Sequence, residues 1–170
     1  MEEKMDEVAI ECIEESHLKE KIKYFDCTTE ERTEEEENIN NFLKKKALKE
    51  AYSKNSSTFL VVSGNERIIG FYTVDISSFE IDYISDRNEK YSYSINVKYL
   101  AVDNKYQQKG YGENILIHIM STYREIAKNI GIRYLTVRTH SRTDWYVKRG
   151  FKKHNSQYFD VLVYDLKEGD

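Results

Sequence analysis

A glycine-containing segment between a predicted strand and a predicted helix constrains this chain more than any other feature. The segment is YQQKGYG, residues 106–112, and it follows the apolar run YLAVDNK. After it, apolar residues recur at helical spacing from Ile115 to Ile130, which predicts a helix over 112–130. The next run, RYLTVRT, is typical of a strand. The order strand, helix, strand predicts a layered α/β fold with this unit at its centre.

The remaining segments predict a mixed sheet with further helices. An acidic run over 30–38 precedes a helical stripe from Ile39 to Tyr52, and TDWYVKR predicts a short helix that a glycine ends. TFLVVSG and RIIGFYTVDI predict a hairpin joined by SGNE, followed by a loop over 82–91, and QYFDVLVYDL predicts a last strand. We expect one domain over 1–170, with a central, mostly antiparallel mixed sheet flanked by helices.

The predicted strand before the glycine segment changes its apolar parity. Ile95, Val97 and Tyr99 alternate on one face, but the apolar positions then switch to Leu100 and Val102. A slip of one residue is what a β-bulge produces in a strand. The alternative is a strand buried on both faces, where parity hardly matters.

Charge is distributed unevenly along the chain. The formal net charge is −4, yet residues 100–154 carry 11 basic and 4 acidic side chains, a net of +7. The segment with the glycine motif is therefore the basic one, which suits an anionic ligand. The alternative is that these charges only solubilise helix faces.

Cysteine, histidine and hydropathy patterns exclude several classes of protein. Cys12 and Cys27 are too few for a disulfide framework, and four scattered histidines lack metal-ligand spacing, so we expect reduced thiols and no metal. No apolar stretch approaches the roughly 20 residues that span a bilayer. The acidic start shows no secretory signal, so we expect a cytoplasmic protein without membrane contact.

The glycine motif has the chemistry of a phosphate site. A helix amino terminus presents N–H groups and partial positive charge, and glycine allows a backbone to approach a pyrophosphate closely. Gln107-x-x-Gly110-x-Gly112 meets both demands, and Lys109 adds a cation. The alternative is a helix entry in which the glycines serve packing.

A second motif stands downstream. WYVKRGF contains Tyr146 followed by Gly150 and Phe151. With both motifs in this order, residues 95–151 resemble the GNAT N-acetyltransferase superfamily, whose patterns are LAVDxxYQxxGxG and YxxxGF. That resemblance implies a GNAT fold with a bulged central strand, an acetyl-CoA-binding core over about 93–151, and acetyl-CoA as the cosubstrate.

The resemblance also implies the cofactor-binding residues. Backbone groups of the central strand would pair with the pantetheine amides, and N–H groups of the glycine segment would hold the pyrophosphate. The residues so assigned are Leu100, Ala101, Val102, Gln107, Gln108, Lys109, Gly110, Tyr111, Gly112 and Glu113.

Tyr146 is placed like the family's general acid, which protonates the coenzyme A thiolate as it leaves. An ordinary phenol has a pKa near 10 and is protonated at neutral pH. The alternative for Tyr146 is a half-buried packing residue. The strand lacks the glutamate that many members use as general base, and we expect Asp103, which follows it, to cap the turn. We therefore expect the amine to lose its proton through water or to bind neutral. His140 or Ser141 stands where the family often has an asparagine.

The amino-terminal half is similar, more loosely, to the GNAT toxins of bacterial toxin–antitoxin pairs. The similar segments are FDCTTEE, INNFLKKKALKEAYSKNSSTFLVVSGNERIIGFYTVD and the motifs above. Such toxins acetylate the α-amine of aminoacyl-tRNA and are neutralised by a DNA-binding antitoxin. Thr28 replaces the glycine expected after the cysteine, and the acidic run is inserted.

Three functions therefore stay open. The first is an N-acetyltransferase for a primary amine of a small molecule, peptide or protein. The second is a toxin acting on aminoacyl-tRNA, with tRNA and a small antitoxin as partners. The third is a non-catalytic acyl-CoA-binding module. A homodimer is expected from the family in the enzymatic cases.

Overall fold

Short helices and longer strands succeed one another along the chain. The computed structural model describes residues 8–80, 91–139, 141–155 and 160–167. Its strands are β1 (Val8–Cys12), β2 (Ser57–Ser63), β3 (Ile68–Glu80), β4 (Tyr91–Val102), β5 (Tyr134–Arg138), β6 (Lys152–Asn155) and β7 (Asp160–Asp165). Its helices are α1 (Glu15–Glu20), α2 (Glu34–Lys45), α3 (Ala47–Tyr52), α4 (Tyr111–Ile130) and α5 (Thr143–Val147).

The strands form one mixed sheet in the order β1-β2-β3-β4-β5-β7-β6. β1 and β2 are antiparallel, as are β5 with β7 and β6 with β7, whereas β4 and β5 are parallel. A parallel pair needs a crossover connection, and α4 supplies it between β4 and β5. The predicted α/β fold class and the strand–helix–strand centre are thus confirmed.

Close contacts divide the chain into two compact units. The first contains Met1–Thr73 and Tyr99–Leu116, and the second contains Val74–Lys98 and Ile117–Asp170. The prediction of a single catalytic domain over 1–170 stays a prediction. No helix of the described ranges is long and apolar enough to cross a membrane.

The core of the first unit forms around α2. Thr33 and Glu36 make a capping box at its start, and each accepts a hydrogen bond from the other's backbone N–H, which begins the helix here. Phe42 and Leu43 are buried on its apolar stripe. Phe42 packs on Tyr99 of β4 with ring centroids 4.4 Å apart. Burying each such side chain contributes about 1.5–3 kcal/mol.

One sequence expectation about α2 was wrong. The single helical stripe from 39 to 52 forms two helices, because the backbone leaves helical geometry at Lys46 (φ −122°, ψ −34°). The acidic run supplies the first turn of α2, from Glu34 to Glu37, and one of these four side chains is buried. Glu36 is buried, and its carboxylate accepts three hydrogen bonds, from Thr29 and Thr33.

Helix α4 agrees with its prediction to one residue. Its buried positions include Leu116, Ile119 and Ala127, which share one face at helical spacing. It ends where Gly131 takes a left-handed φ of 68° and donates its N–H to the Ala127 carbonyl.

The predicted hairpin of β2 and β3 is present, and its turn places Glu66 at φ 60°. The prediction did not include β1, α1 or β6. The predicted loop over 82–91 falls outside the described residues, except for Tyr91, which begins β4.

Candidate active site

The glycine loop, defined here as residues 106–112, has the backbone shape of an anion site. It lies between β4 and the start of α4. Gln107 is extended (φ −62°, ψ 159°), whereas Gln108 and Gly110 have positive φ of 61° and 84°. Left-handed backbone at two positions so close together bends the chain sharply before α4, and turns of this kind are among the backbone conformations that bind anions. The first turn of α4 adds its partial positive charge.

The same loop leaves room for a ligand against its backbone. Gln108, Lys109 and Gly110 are exposed. A Cβ added to Gly110 would have no heavy atom within 4 Å. The glycine is therefore required by its conformation and not by crowding from the protein. A phosphate group fits this arrangement.

Gln107 uses its side chain to hold the loop in place. Its Nε2 donates to the carbonyl oxygens of Cys27 at 2.9 Å and Val102 at 3.0 Å. The side-chain N–H groups are thus committed to protein acceptors, and the backbone of Gln107 remains for the predicted contact with a phosphate. Asp103 caps the preceding turn by accepting from the Lys105 N–H at 3.1 Å, as the sequence predicted.

The strand before the loop, β4, is longer than its partner β5. The ladder between β4 and β5 runs from Ser94↔Tyr134 to Val97↔Val137, and β4 continues to Val102. The segment assigned to pantetheine, 100–102, follows the last of these pairs. The implied splay of the two strands stays a prediction.

Both faces of β4 are buried in its middle. Ser94, Ile95, Asn96 and Val97 are all below a tenth exposed, so the alternative of a doubly buried strand holds for these positions. Farther along, Tyr99 packs in the core and Leu100 is half-buried. The predicted bulge therefore stays a prediction.

Gly70 of β3 allows the close approach of the segment at 101–102. A Cβ at Gly70 would lie 2.6 Å from the Ala101 carbonyl oxygen and 3.0 Å from Ile115 Cδ1. The contact with the backbone oxygen leaves no space for a side chain. Gly70 thus fixes where the carbonyl of Ala101 lies, and sequence reasoning did not single it out.

Tyr146 lies on α5, in the second unit, and its ring is held on two sides. It is buried, and its ring makes edge contacts with Trp145 at 4.8 Å and Phe151 at 5.4 Å between centroids. The Tyr146 carbonyl accepts N–H groups of Arg149 at 2.9 Å and Phe151 at 3.3 Å. The chain therefore folds back on Tyr146 over the span of the YxxxGF motif.

Gly150 allows the turn that brings Phe151 back to Tyr146. Its φ is 94°, a conformation that side chains disfavour, and an added Cβ would lie 3.2 Å from the ring of Tyr164. Phe151 is then placed in the core against Tyr146. The glycine and the phenylalanine of the motif thus fix the orientation of the tyrosine ring.

Basic residues are frequent in the sequence on both sides of α5. Arg149 lies over the Trp145 ring, with its Cζ 4.1 Å from the ring centroid, and donates to the Trp145 carbonyl at 2.9 Å. Exposed basic residues flank the helix in sequence, and they are Arg138, Arg142, Lys148, Lys152 and Lys153. Ser141 is exposed, and His140 lies outside the described residues.

A polar network crosses three strands of the second unit. Ser94 and Thr136 hydroxyls are 2.8 Å apart, Thr136 Oγ1 donates to Asn96 Oδ1 at 3.4 Å, and Asn96 Nδ2 donates to Asp75 Oδ1 at 2.9 Å. Sequence reasoning missed this network. The available signal was polar residues at 94 and 96 within an otherwise apolar strand.

A second polar cluster lies in the first unit around Cys27. Burial, followed by the nearby Glu36 and Asp26 carboxylates, raises the pKa of the Cys27 thiol to about 12. Burial acts to raise the pKa of Asp26 too, but hydrogen bonds from Thr28 and Asn40 outweigh it and hold that pKa below its usual value. Cys27 is thus an unreactive structural thiol. Within the described ranges, no group of His, Cys, Asp and Glu could hold a metal ion.

Solved structures with similar folds include the toxins KacT and AtaT. A tyrosine-to-phenylalanine mutant of KacT is 25% identical, with a TM-score of 0.80 and coverage of 95% of this chain and 96% of that chain. AtaT complexed with acetyl-methionyl-tRNAfMet is 20% identical, with a TM-score of 0.81 and coverage of 95% and 96%. A tyrosine-to-phenylalanine mutant of the AtaT toxin, bound to the C-terminus of the antitoxin AtaR and acetyl-CoA, is 22% identical, with a TM-score of 0.75 and coverage of 96% of both chains.

The family comparison covers both motifs. No curated protein sequence matches the chain significantly. The family model of the acetyltransferase (GNAT) domain matches residues 55–153, which include the glycine loop, Tyr146 and Phe151. That match spans more than half of the chain, and the chain belongs to the GNAT acetyltransferase family.

Proposed function

We propose that this protein transfers the acetyl group of acetyl-CoA to the α-amine of an aminoacyl-tRNA. The observation that carries the cofactor assignment is the glycine loop, with positive φ at Gln108 and Gly110 and open space over Gly110 at the start of α4. Solved structures of similar fold include one with acetyl-CoA. The whole chain, 1–170, acts as one catalytic domain in this proposal.

Each predicted cofactor residue has a role in this proposal. Backbone N–H groups of 107–113 hold the pyrophosphate, with Lys109 as the nearby cation. Backbone groups of 100–102 pair with the pantetheine amides. Acetyl-CoA supplies an acetyl group activated as a thioester. The glycine loop therefore binds by backbone geometry, which explains why Gly110 and Gly112 matter more there than side-chain chemistry.

Tyr146 serves as the general acid. The edge contacts of Trp145 and Phe151 fix its ring. Its hydroxyl gives a proton to the sulfur as the C–S bond breaks, and a neutral acceptor amine forms the new C–N bond and gives up its own proton to water. Proton transfer of this kind contributes typically 10²–10⁴-fold to a rate.

The tRNA acceptor is favoured over a small amine by two observations. The toxin-like structures match over almost the entire chain, and one of them contains acetyl-methionyl-tRNAfMet. In this chain the exposed basic residues near α5 provide positive charge for phosphates. A small antitoxin and a homodimer are the expected partners, and the cytoplasm is the expected location. The amine of a small molecule, peptide or protein is the second candidate acceptor.

The decisive experiment follows radiolabelled acetyl transfer from acetyl-CoA to methionyl-tRNA. The Tyr146→Phe variant should lose roughly 10²–10⁴-fold in turnover while it still binds acetyl-CoA. Tyr93→Phe is the matched control, because Tyr93 is 70% exposed, and it should keep the wild-type rate. An unchanged rate for Tyr146→Phe would remove that residue from the mechanism.

The same assay separates the acceptor classes. Transfer to tRNA should fall steeply as salt rises, since binding depends on phosphate neutralisation. Transfer to lysine or a peptide with no transfer to charged tRNA would establish the second candidate instead. Binding of acetyl-CoA without transfer to either would identify a non-catalytic binding module.

A further inference from the structure

The side chain of Gln107 ties the glycine loop to a segment that is distant in sequence. Its Nε2 donates to the carbonyl oxygens of Cys27 and Val102, at 2.9 and 3.0 Å. A primary amide has two N–H bonds, and both acceptors are carbonyls that cannot donate. The amide nitrogen therefore faces these two oxygens, and both of its N–H bonds are used.

A second set of bonds joins the same two segments. Asp103 Oδ2 accepts the Asp26 N–H at 3.1 Å, and the Asn104 N–H donates to the Asp26 carbonyl at 2.7 Å. Asp103 is 4% exposed. Residues 103–107, which lead into the glycine loop, are thus attached to residues 26 and 27 at three places.

Helix α2 holds residues 26 and 27 in turn. Asn40 Oδ1 accepts the Cys27 N–H at 3.0 Å, and Asn40 Nδ2 donates to Asp26 Oδ1 at 2.8 Å. Glu36 Oε2 accepts the N–H and the hydroxyl of Thr29, at 3.1 and 3.2 Å. A continuous set of hydrogen bonds therefore runs from α2 through 26–29 to the glycine loop.

A displacement of α2 or of the glycine loop alone would break hydrogen bonds of this network. Leaving a buried donor or acceptor unsatisfied costs about 1–3 kcal/mol, and more for a charged group. Asn40 bridges two groups and Gln107 bridges two more, so a shift of α2 breaks several bonds unless the loop follows. The loop conformation and the position of α2 are consequently coupled.

We propose that Asn40 and Gln107 are positioning residues that set the shape of the glycine loop, so that α2 controls affinity for acetyl-CoA. The proposal rests on the proposed function, because it requires that the glycine loop bind the phosphates of the coenzyme. Both residues act through the backbone that they hold and not through contact with the ligand.

The first test compares two neighbouring asparagines of α2. Asn40→Asp replaces a donor with a carboxylate oxygen facing Asp26, whereas Asn41→Asp makes the same charge change at an exposed position. Calorimetric titration of the full chain with acetyl-CoA, well below the unfolding temperature, should show Kd raised about tenfold or more for Asn40→Asp. That rise corresponds to about 1.4 kcal/mol. Asn41→Asp should keep the wild-type Kd.

The stoichiometry of the same titration distinguishes positioning from loss of folding. A positioning effect raises Kd while the binding-competent fraction stays near that of the wild type. A variant that only unfolds in part would show fewer binding sites with an unchanged Kd. Gln107→Met keeps the side-chain length, removes both donors and adds no charge, so it decides the question if Asn40→Asp does not fold.

A double variant tests whether the two residues act through one network. Asn40→Asp with Gln107→Met should weaken binding by less than the product of the single effects, since either change already releases the loop. Multiplicative effects would overturn the proposed coupling.

The remaining outcomes separate this inference from the proposed function. Wild-type affinity in Gln107→Met, or equal losses in Asn40→Asp and Asn41→Asp, would overturn the inference and leave the acetyl-CoA site standing. Absence of acetyl-CoA binding by the wild-type chain would overturn the proposed function itself.

Discussion

Gly110 and Gly131 form a matched pair that tests the glycine loop. They stand just before and just after α4, with φ of 84° and 68°, and a Cβ at either would have no heavy atom within 4 Å. Alanine in this left-handed region costs roughly 1–2 kcal/mol at each position, without a steric clash. For a chain of this size that cost lowers Tm by about 2–8 °C. Gly110→Ala and Gly131→Ala should therefore be about equally destabilised.

Acetyl-CoA should distinguish the two variants. At a hundred times Kd a ligand stabilises the folded state by about 2.7 kcal/mol, which raises Tm by roughly 5–10 °C here. Gly131→Ala should keep that increase, because Gly131 lies at the far end of the helix. Gly110→Ala should lose most of it, since its methyl group lies on the backbone that a phosphate must approach.

The assay is thermal unfolding of wild type and both variants, with and without acetyl-CoA at the same multiple of the wild-type Kd. Equal Tm values for the two variants without ligand would confirm that alanine destabilises the fold equally at the two positions. The reasoning is refuted if Gly110→Ala gains as much from acetyl-CoA as Gly131→Ala does, since the loop backbone would then not be the phosphate site.

Three further predictions concern stability and reactivity. Gly70→Ala should lower the urea midpoint by an amount equivalent to about 1–3 kcal/mol, because a β4 carbonyl oxygen lies 2.6 Å from the added Cβ, and a wild-type midpoint would contradict this approach. In thiol titration at pH 8, exposed Cys12 should react in the folded protein, whereas Cys27, with a pKa of about 12, should react only after unfolding. Burial acts to raise the pKa of Asp165, but the hydrogen bond from Arg133 Nε at 2.9 Å helps to lower that pKa overall. Ionised Asp165 therefore stabilises the folded protein above the unfolded pKa near 3.9, and this stabilisation is lost as pH falls through the folded pKa. Thermal unfolding between pH 6 and 2 should accordingly show the difference between wild type and Asp165→Asn shrink at the acidic end, and a constant difference would rule out this linkage.

Local sequence patterns predicted the strand–helix–strand segment of β4, α4 and β5 well. Residues that share the face of α4 are near neighbours in sequence, so their periodicity is visible without a structure. The turn at Asp103 and the helix end at Gly131 depend on a few adjacent residues, and both are as predicted. The two motifs likewise predicted the family, because their spacing follows from turns that specific residues make.

Other elements could not be predicted, because their stability comes from distant partners. β1 pairs with β2 at Val8↔Ser63, far along the chain, and its own sequence is short and mostly exposed. The stripe from 39 to 52 is continuous in sequence, yet the chain breaks it at Lys46 to form two helices. Periodicity describes a face and does not report a change of direction between two helices.

The sequence alone determined the family, the fold class and the strand–helix–strand order around the glycine loop. Tertiary structure decided what holds those segments in place. Gln107 could be assigned to a phosphate site from its motif, but its amide bonds a carbonyl 80 positions away in the chain, at Cys27. Gly70 and Asn40 matter for the same reason. A hydrogen bond or a close approach between remote segments depends on how the chain returns to itself, and no local pattern carries that information.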